Sequence, residues 1–286
     1  MATRSAVVVA GPRVVPGGVA AVRAFAAATG VGVLNTYGAK GLFRWDDPAH
    51  LGTIGLQARD VELAGVLDAE VVLAVGLDKR ELGVEALGPR ARVVELGELA
   101  AWGGRVHPMA PGHLYGELRA ALLPLYDSDQ VPLTPAAAAA DLGTCLPPGG
   151  LVCAVPGTVG LWIARALPTT ELGSVHVPPD ADPAIAAGAA ERAAAGGRPV
   201  VLVSPTPPPA PVTGVLALAR AAGLPLVVEL WSAAVPAPGA PPVSRDGRRA
   251  TLAACLASGG PHQVETPVDL GLTSVLEAVA GPVTAW

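Results

Sequence analysis

Polar and aromatic side chains that could do chemistry are concentrated between Leu34 and Leu56. This stretch, LNTYGAKGLFRWDDPAHLGTIGL, carries four glycines, a lysine, a histidine and an acidic pair in a chain otherwise rich in Ala, Val, Leu, Gly and Pro. Asp46, Asp47 and His50 offer the groups of an acid–base or metal cluster, and the alternative is a capped turn fixed by the proline that follows. Composition alone leaves open whether the stretch is a binding site or a long surface loop.

The composition of the whole chain excludes several classes of function. A net charge of -5, with only 19 Lys and Arg residues, argues against binding to nucleic acid or to an anionic membrane. Hydrophobic residues make up 51% of the 286 residues, but every apolar run ends before the roughly 18 to 20 residues of a membrane span. The N-terminus lacks a secretory apolar segment, and the 3 cysteines have no spacing typical of zinc sites or disulfide frameworks. We therefore expect a cytoplasmic protein.

The elements that must position the polar stretch alternate between strand and helix patterns. Strands are predicted at 6–10, 31–34, 71–75, 92–96, 151–155, 199–203 and 226–230, and helices at 19–28, 58–67, 160–167, 183–195 and 212–222. This alternation predicts an α/β fold with two doubly wound parallel-sheet domains and helices on both faces. The segment 124–140, rich in Pro, Asp and Ala, is the predicted linker between domains at 1–123 and 141–286.

Three predicted loops follow neighbouring strands of the first domain. They begin at Gly11, at Asn35 and at Gly76. Ligands of doubly wound sheets bind beyond the carboxyl ends of the strands, so these loops are expected to converge on one edge. The chain has no GxGxxG after a strand, which argues against a dinucleotide site of the NAD type.

The order of motifs in the first half resembles the middle domain of thiamine-diphosphate enzymes of the acetolactate synthase type. A TxGAKG-like turn stands at Thr36–Gly41, an acidic-proline step at Asp46–Pro48 and HLGTIG at His50–Gly55. The runs AVVVAGP near the start and DAEVVLAVGLD at Asp68–Asp78 extend the similarity in both directions. The resemblance identifies the first half as such a middle domain.

The resemblance also implies a nucleotide pocket. In some of these enzymes the middle domain holds FAD, in others it holds an adenine nucleotide, and in others it holds nothing. By this resemblance the residues of such a pocket are Gly38, Lys40, His50, Gly76 and Asp78.

The second half resembles the diphosphate-binding domain of the same enzymes, but its polar positions are lost. In LPPGGLVCAVPGTVGLWIARALP, Gly157 and Trp162 match the family pattern, whereas Val155 and Val159 stand where the family has Asp and His. We therefore expect a degenerate cofactor domain in which apolar side chains replace a pocket.

The metal positions of the family are changed as well. The loop that has the sequence GDGS in the family reads PTPP here, and Thr206 lies near the first metal position. Ser232 lies near the second metal position. Prolines remove backbone N–H donors and none of these residues carries the carboxylate that Mg²⁺ prefers. We predict no metal site, no catalytic residue in this chain and no binding of thiamine diphosphate with magnesium.

The family's chains begin with a pyrimidine-binding domain whose glutamate activates the cofactor, and no segment of this sequence corresponds to that domain. The resemblance therefore predicts a non-catalytic or accessory subunit, a pseudoenzyme that acts with a partner chain carrying a pyrimidine-binding domain or with copies of itself. One alternative is a subunit of a split thiamine-diphosphate-dependent decarboxylase or carboligase acting on 2-oxo acids. Another is a nucleotide-binding sensor that uses only the middle-domain pocket.

Overall fold

The computed structural model describes residues 3–15, 17–109, 116–233 and 244–286. The chain divides into two compact units, of which the first comprises Met1–Ala120 and Leu276–Trp286 and the second comprises Ala121–Val275. Each unit is built on its own parallel sheet. No helix in the described part of the chain is long and apolar enough to cross a membrane.

The first unit contains a six-stranded parallel sheet. Its strands are β1 (Arg4–Ala10), β2 (Val33–Thr36), β3 (His50–Ile54), β4 (Val71–Val75), β5 (Ala91–Val93) and β6 (Val106–Pro108), and its helices are α1 (Val19–Thr29), α2 (Asp60–Leu63) and the start of α3 (Gly116–Tyr126). The strand order is β3-β2-β1-β4-β5, with β6 pairing the start of β1. Strands β2 and β3 follow β1 toward one edge of the sheet, and β4 and β5 then lie toward the other edge. The order of strands therefore reverses beside β1, and the carboxyl end of β1 is the topological switch point of the sheet.

Alternate residues of β1 pack into two hydrophobic cores in the first unit. Ala6, Val8 and Ala10 pack in one core together with the apolar side of α1, while Val7 and Val9 pack in a second core on the opposite face. Period-two alternation on a sheet buried on both faces produces this arrangement, and it explains why β1 reads as a continuous apolar run. Both faces of the sheet are therefore covered.

The second unit contains a five-stranded parallel sheet of order β11-β10-β9-β7-β8. Its strands are β7 (Leu151–Ala154), β8 (Val175–His176), β9 (Val200–Pro205), β10 (Leu226–Ser232) and β11 (His262–Pro267), and its helices are α4 (Pro135–Cys145), α5 (Thr158–Ala166), α6 (Pro183–Ala195), α7 (Ala210–Ala222), α8 (Arg245–Ser258) and the start of α9 (Thr273–Ala280). Helices α6 and α7 cover one face and α4, α5 and α8 pack on the other side. The predicted fold class, α/β with two parallel sheets and helices on both faces, is confirmed.

Some local predictions differ from the structure. The helix expected at 58–67 is a single turn, α2, followed by a 3-10 turn at Val66–Asp68. Gly65 separates the two with a left-handed φ of 61°, a conformation that ends an α-helix. The strand expected at 92–96 is the shorter β5, Ala91–Val93, and the predicted linker 124–140 contains the end of α3 and the start of α4.

The end of the chain also packs differently from the expected division. The predicted second domain ran to residue 286, whereas Leu276–Trp286 group with the first unit. Main-chain hydrogen bonds account for this: the N–H of Ala58 donates to Pro282 O at 3.0 Å, and the N–H of Thr284 donates to Leu56 O at 2.9 Å. These bonds form between segments distant in sequence, so no local pattern predicts them.

Candidate functional site

The three loops expected to converge do meet at the carboxyl edge of the first sheet. Ala10, at the end of β1, lies opposite Asn35 of β2 and Val75 of β4. The N–H of Gly11 donates to Val75 O at 2.9 Å, and the backbones approach so closely that a Cβ on Gly11 would overlap Gly76 O. Glycine is needed at this contact because any side chain would force the two loops apart.

A cavity of about 430 Å³ opens beside this contact. Arg13, after β1, and Lys79, after β4, contribute its positive charges. Glu85 and Glu95 contribute negative ones, and much of the remaining wall comes from loops after β4 and β5. Among the described residues that line the cavity, Gly76 is the one member of the set expected from the sequence. The cavity lies where ligands of doubly wound sheets bind.

Asp78 is engaged by a neighbouring arginine. Its carboxylate accepts from Arg80 Nε at 3.1 Å and from Arg80 Nη2 at 2.8 Å. These hydrogen bonds lower the pKa of Asp78 to about 2, because they favour the charged form. The side chain is therefore ionised at neutral pH and fixed in a two-residue ion pair.

His50 holds the polar loop in place. Its Nε2 lies 2.9 Å from Asn35 Oδ1, while Asn35 Nδ2 donates to Thr36 O and to Thr53 Oγ1. Since the Asn35 amide nitrogen is used as a donor, its oxygen must accept, which assigns a proton to His50 Nε2. Burial, followed by the nearby charge of Lys40, lowers the pKa of His50 to about 4. His50 is thus a neutral donor at physiological pH.

The rest of the loop is also organised by internal contacts. The rings of Phe43 and His50 are stacked with their centroids 6.3 Å apart. Asp47 Oδ1 accepts a hydrogen bond from the N–H of Ala49 at 2.9 Å. The acidic pair followed by proline therefore forms the capped turn that was one of the two interpretations of this segment. Lys40 lies just after the 3-10 turn Tyr37–Ala39 and is partly buried.

Glu81 is a functional candidate that the sequence reasoning missed. It is 7% exposed, and a Cβ on Gly38 would overlap its Oε1. The Thr36 hydroxyl and the Gly38 backbone interact with its carboxyl group, and within the described part of the chain the nearby hydroxyl of Tyr37 has no hydrogen-bond partner. Burial raises the pKa of Glu81 to about 7. No motif marks this residue, because it stands in an ordinary charged run, DKREL.

Among the described residues, the carboxyl edge of the second sheet does not offer the groups of a metal-diphosphate site. Val155 and Val159 are each 1% exposed. The loop after β9 contains a cis peptide bond between Thr206 and Pro207, and Thr206 N–H donates to Trp231 O at 3.1 Å. Ser232 is buried at the end of β10, on the same edge.

The donor set at this edge therefore does not fit thiamine diphosphate with magnesium. Magnesium bound to phosphates takes carboxylate ligands, and the loop offers hydroxyl groups and prolines instead. Nowhere among the described residues do three His, Cys, Asp or Glu side chains form a group able to hold a metal ion.

The structure is a doubly wound α/β protein. In its first unit, the loops that follow the strands form the kind of edge at which such sheets bind ligands. Residues 2–125 match the family described as thiamine pyrophosphate enzyme, central domain. Over these residues the chain is similar to that central domain, and the match leaves the second unit uncovered beyond residue 125. No curated protein sequence matches this chain.

A solved structure from Mycobacterium smegmatis, assigned to the thiamin diphosphate-dependent enzymes, has a similar fold. The TM-score is 0.67 at 19% sequence identity, over 93% of this chain and 62% of that chain. This chain thus spans less than two thirds of that protein, and the similarity extends over both units described above.

Proposed function

We propose that this chain is a non-catalytic, accessory member of the thiamine pyrophosphate enzyme family that acts with a partner chain. The observation that carries the proposal is the chemistry of the second sheet's carboxyl edge, where Val155 and Val159 are buried and β9 ends at Pro205 and runs into Thr206, Pro207 and Pro208. A diphosphate needs backbone N–H donors and its cation needs carboxylates. Apolar side chains and prolines supply neither.

The need for a partner rests on the assemblies of related proteins. Members of this family commonly act as multi-domain or multi-chain assemblies. In the proposed assembly another chain supplies the pyrimidine-binding domain, and this chain binds or scaffolds it.

Calorimetry of the full chain tests this function. The chain is titrated with thiamine diphosphate in the presence of Mg²⁺, and an intact acetolactate synthase serves as the positive control. We expect no heat of binding from this chain. Micromolar, magnesium-dependent binding to this chain alone would overturn the proposal. Binding that appears only when a chain with a pyrimidine-binding domain is added, together with decarboxylation of a 2-oxo acid, would instead support a split enzyme.

The cavity of the first unit favours a second candidate function, a nucleotide sensor. Arg13 and Lys79 place two cationic side chains on a cavity of about 430 Å³ at the switch point of the sheet. Guanidinium and ammonium groups bind phosphates, and a cavity of a few hundred Å³ is of the size that holds a small ligand.

Thermal shift with ADP and with FAD tests the sensor. Arg13→Ser and Lys79→Ser should each reduce the ligand-induced shift. Lys40→Ser is the matched control, because Lys40 is not among the residues that line the cavity although the sequence resemblance implies it. If neither ligand shifts the melting temperature of the unmodified chain, the sensor function is rejected. If only Lys40→Ser reduces the shift, the nucleotide binds elsewhere.

A further inference from the structure

A further cavity of the first unit, the α1 cavity, lies away from the carboxyl edge of the sheet. Its volume is about 540 Å³, and its walls are α1 with the Gly30 that follows it and the segment 43–49, which leads into β3. The N–H of Val33, at the start of β2, donates to Ala49 O at 2.7 Å, so this wall lies near the amino ends of β2 and β3. In the described part of the chain, the α1 cavity shares no lining residue with the cavity of about 430 Å³.

The lining of the α1 cavity is apolar except for one cation and one anion. Among the described residues its wall consists of four alanines, a glycine, a phenylalanine and a proline, together with Arg23 and Asp47. The two charges sum to zero. An apolar ligand with one group of each sign therefore matches this lining, whereas a phosphate, with about two negative charges, is repelled by Asp47.

Both charged side chains have groups left to bind a ligand. Arg23 is half-buried, and within the described residues its guanidinium makes neither a hydrogen bond nor an ion pair; its Cζ lies 5.9 Å from the centroid of the Phe43 ring. Asp47 Oδ1 accepts from the N–H of Ala49 at 2.9 Å, while Oδ2 accepts no hydrogen bond in the same part of the chain. A guanidinium binds a carboxylate through two parallel hydrogen bonds, and a carboxylate oxygen accepts from an ammonium group.

The wall that carries these groups is fixed by contacts within the protein. The Phe43 ring contacts Arg23 and is stacked with the ring of His50, with the two centroids 6.3 Å apart. His50 in turn lies 2.9 Å from Asn35 Oδ1, and the Asp47 carboxylate caps its own turn. A preformed site loses little conformational freedom when a ligand binds, so a small molecule is a suitable ligand.

We propose that the α1 cavity binds an amino acid with a large apolar side chain, whose carboxylate pairs with Arg23 and whose ammonium group pairs with Asp47. The apolar side chain packs against the alanine methyl groups. Binding through Oδ2 leaves the bond between Asp47 and Ala49 in place. A fatty acid leaves Asp47 desolvated without a partner, and a simple amine does the same to Arg23, so both fit less well. The site goes beyond the accessory function proposed above, because it gives the chain a small-molecule ligand away from the carboxyl edge.

NMR titration of the isotope-labelled full chain with L-phenylalanine tests the site. The amide signals of Ala24, Ala27 and Ala49 should shift, while that of Gly76, which lines the other cavity, should not. Phenylpropionate lacks the ammonium group and phenethylamine lacks the carboxylate, so each should bind about tenfold more weakly than phenylalanine. The proposal is overturned if about 10 mM phenylalanine leaves these alanine signals unshifted, or if the three compounds bind equally.

Two variants separate the contributions of the charges. Arg23→Gln should weaken the binding of phenylalanine about tenfold and leave that of phenethylamine unchanged. Asp47→Asn should weaken phenylalanine about tenfold and leave phenylpropionate unchanged, and its side-chain oxygen can still accept from the N–H of Ala49. In each variant, the unchanged binding of the second compound shows that the cavity is folded.

Arg44→Gln and Asp46→Asn are the matched controls. They remove the same charges from the segment 43–49, but at exposed residues that pair with each other at 3.0 Å and do not line the cavity. Both controls should bind phenylalanine like the unmodified chain. If they weaken it as much as Arg23→Gln and Asp47→Asn do, the amino acid does not bind through the two charges of the cavity and the proposal is wrong.

Discussion

Replacement of Arg248 by methionine should destabilise the second unit strongly. The Arg248 side chain is fully buried on α8, and its Nε and Nη2 donate to the two oxygens of Glu229 at 2.7 and 2.9 Å. Each hydrogen bond to a charged group contributes about 1.5–3 kcal/mol, so the pair accounts for about 3–6 kcal/mol. Removing one partner of a buried ion pair costs about 3–5 kcal/mol, which agrees with this range.

The loss arises from the charge left unpaired on Glu229, and a double variant isolates that contribution. Glu229→Gln combined with Arg248→Met leaves an uncharged amide that still accepts from Thr266 Oγ1. The double variant should therefore be more stable than Arg248→Met alone, with a coupling free energy of about 2 kcal/mol or more. Asp141 loses one contact at 3.4 Å but keeps two other arginines.

Urea unfolding and amide exchange of β10 measure the effect on the second unit. Exchange of β10 is useful because a chain with two units need not unfold in one transition. Arg249→Met is the control, since Arg249 lies on the same helix and contacts Asp141, but its side chain is 38% exposed. That variant should lose about 1 kcal/mol or less. A loss of unfolding free energy below about 1 kcal/mol for Arg248→Met would refute this explanation. So would a double variant whose loss equals the sum of the losses of the two single variants.

Three further outcomes follow from single sites. Gly38→Ala should cost about 1–3 kcal/mol by overpacking against Glu81. Gly97→Ala, where a Cβ meets no atom within 4 Å, should cost much less in the same melting experiment. His50, with a pKa of about 4, should not titrate between pH 5 and 8 by NMR. In the unfolded chain the ring binds its proton at a higher pH than in the folded chain. The contribution of His50 to stability therefore falls as the pH drops from 6.5 toward 4. Burial raises the pKa of the Cys153 thiol to about 12, so Cys153 should resist thiol reagents at pH 8 until urea unfolds the chain.

Much of the fold could be predicted from the sequence because its signals are local. The apolar run of β1 and the helical spacing of Val22, Phe25 and Ala26 before a left-handed Gly30 are patterns of a few residues. The broken helix near Gly65 shows the limit of such patterns. Periodicity there favours a helix, whereas the backbone turns at a glycine with φ of 61°.

The candidate site was harder to predict because it depends on contacts between distant segments. Of the pocket residues expected by resemblance, Gly76 lines the cavity among the described residues, while Arg13 and Lys79 supply its cations. Both stand in sequence surroundings that carry no motif. Glu81 becomes notable only when the loop after β2 covers it, and that contact joins residues about forty positions apart.

The polar residues that made the segment 34–56 conspicuous are used mainly to hold the segment itself. Asn35 and His50 bind each other at 2.9 Å, and the Asp47 carboxylate caps the turn before β3. A side chain whose hydrogen bonds are made within its own loop is poorly placed to bind a ligand, since binding would break those bonds. The loop therefore fixes the position of Gly38, and Gly38 in turn leaves room for the buried carboxyl group of Glu81. Chemistry at this edge is accordingly expected at Glu81 and the nearby cavity rather than at the polar residues of the loop.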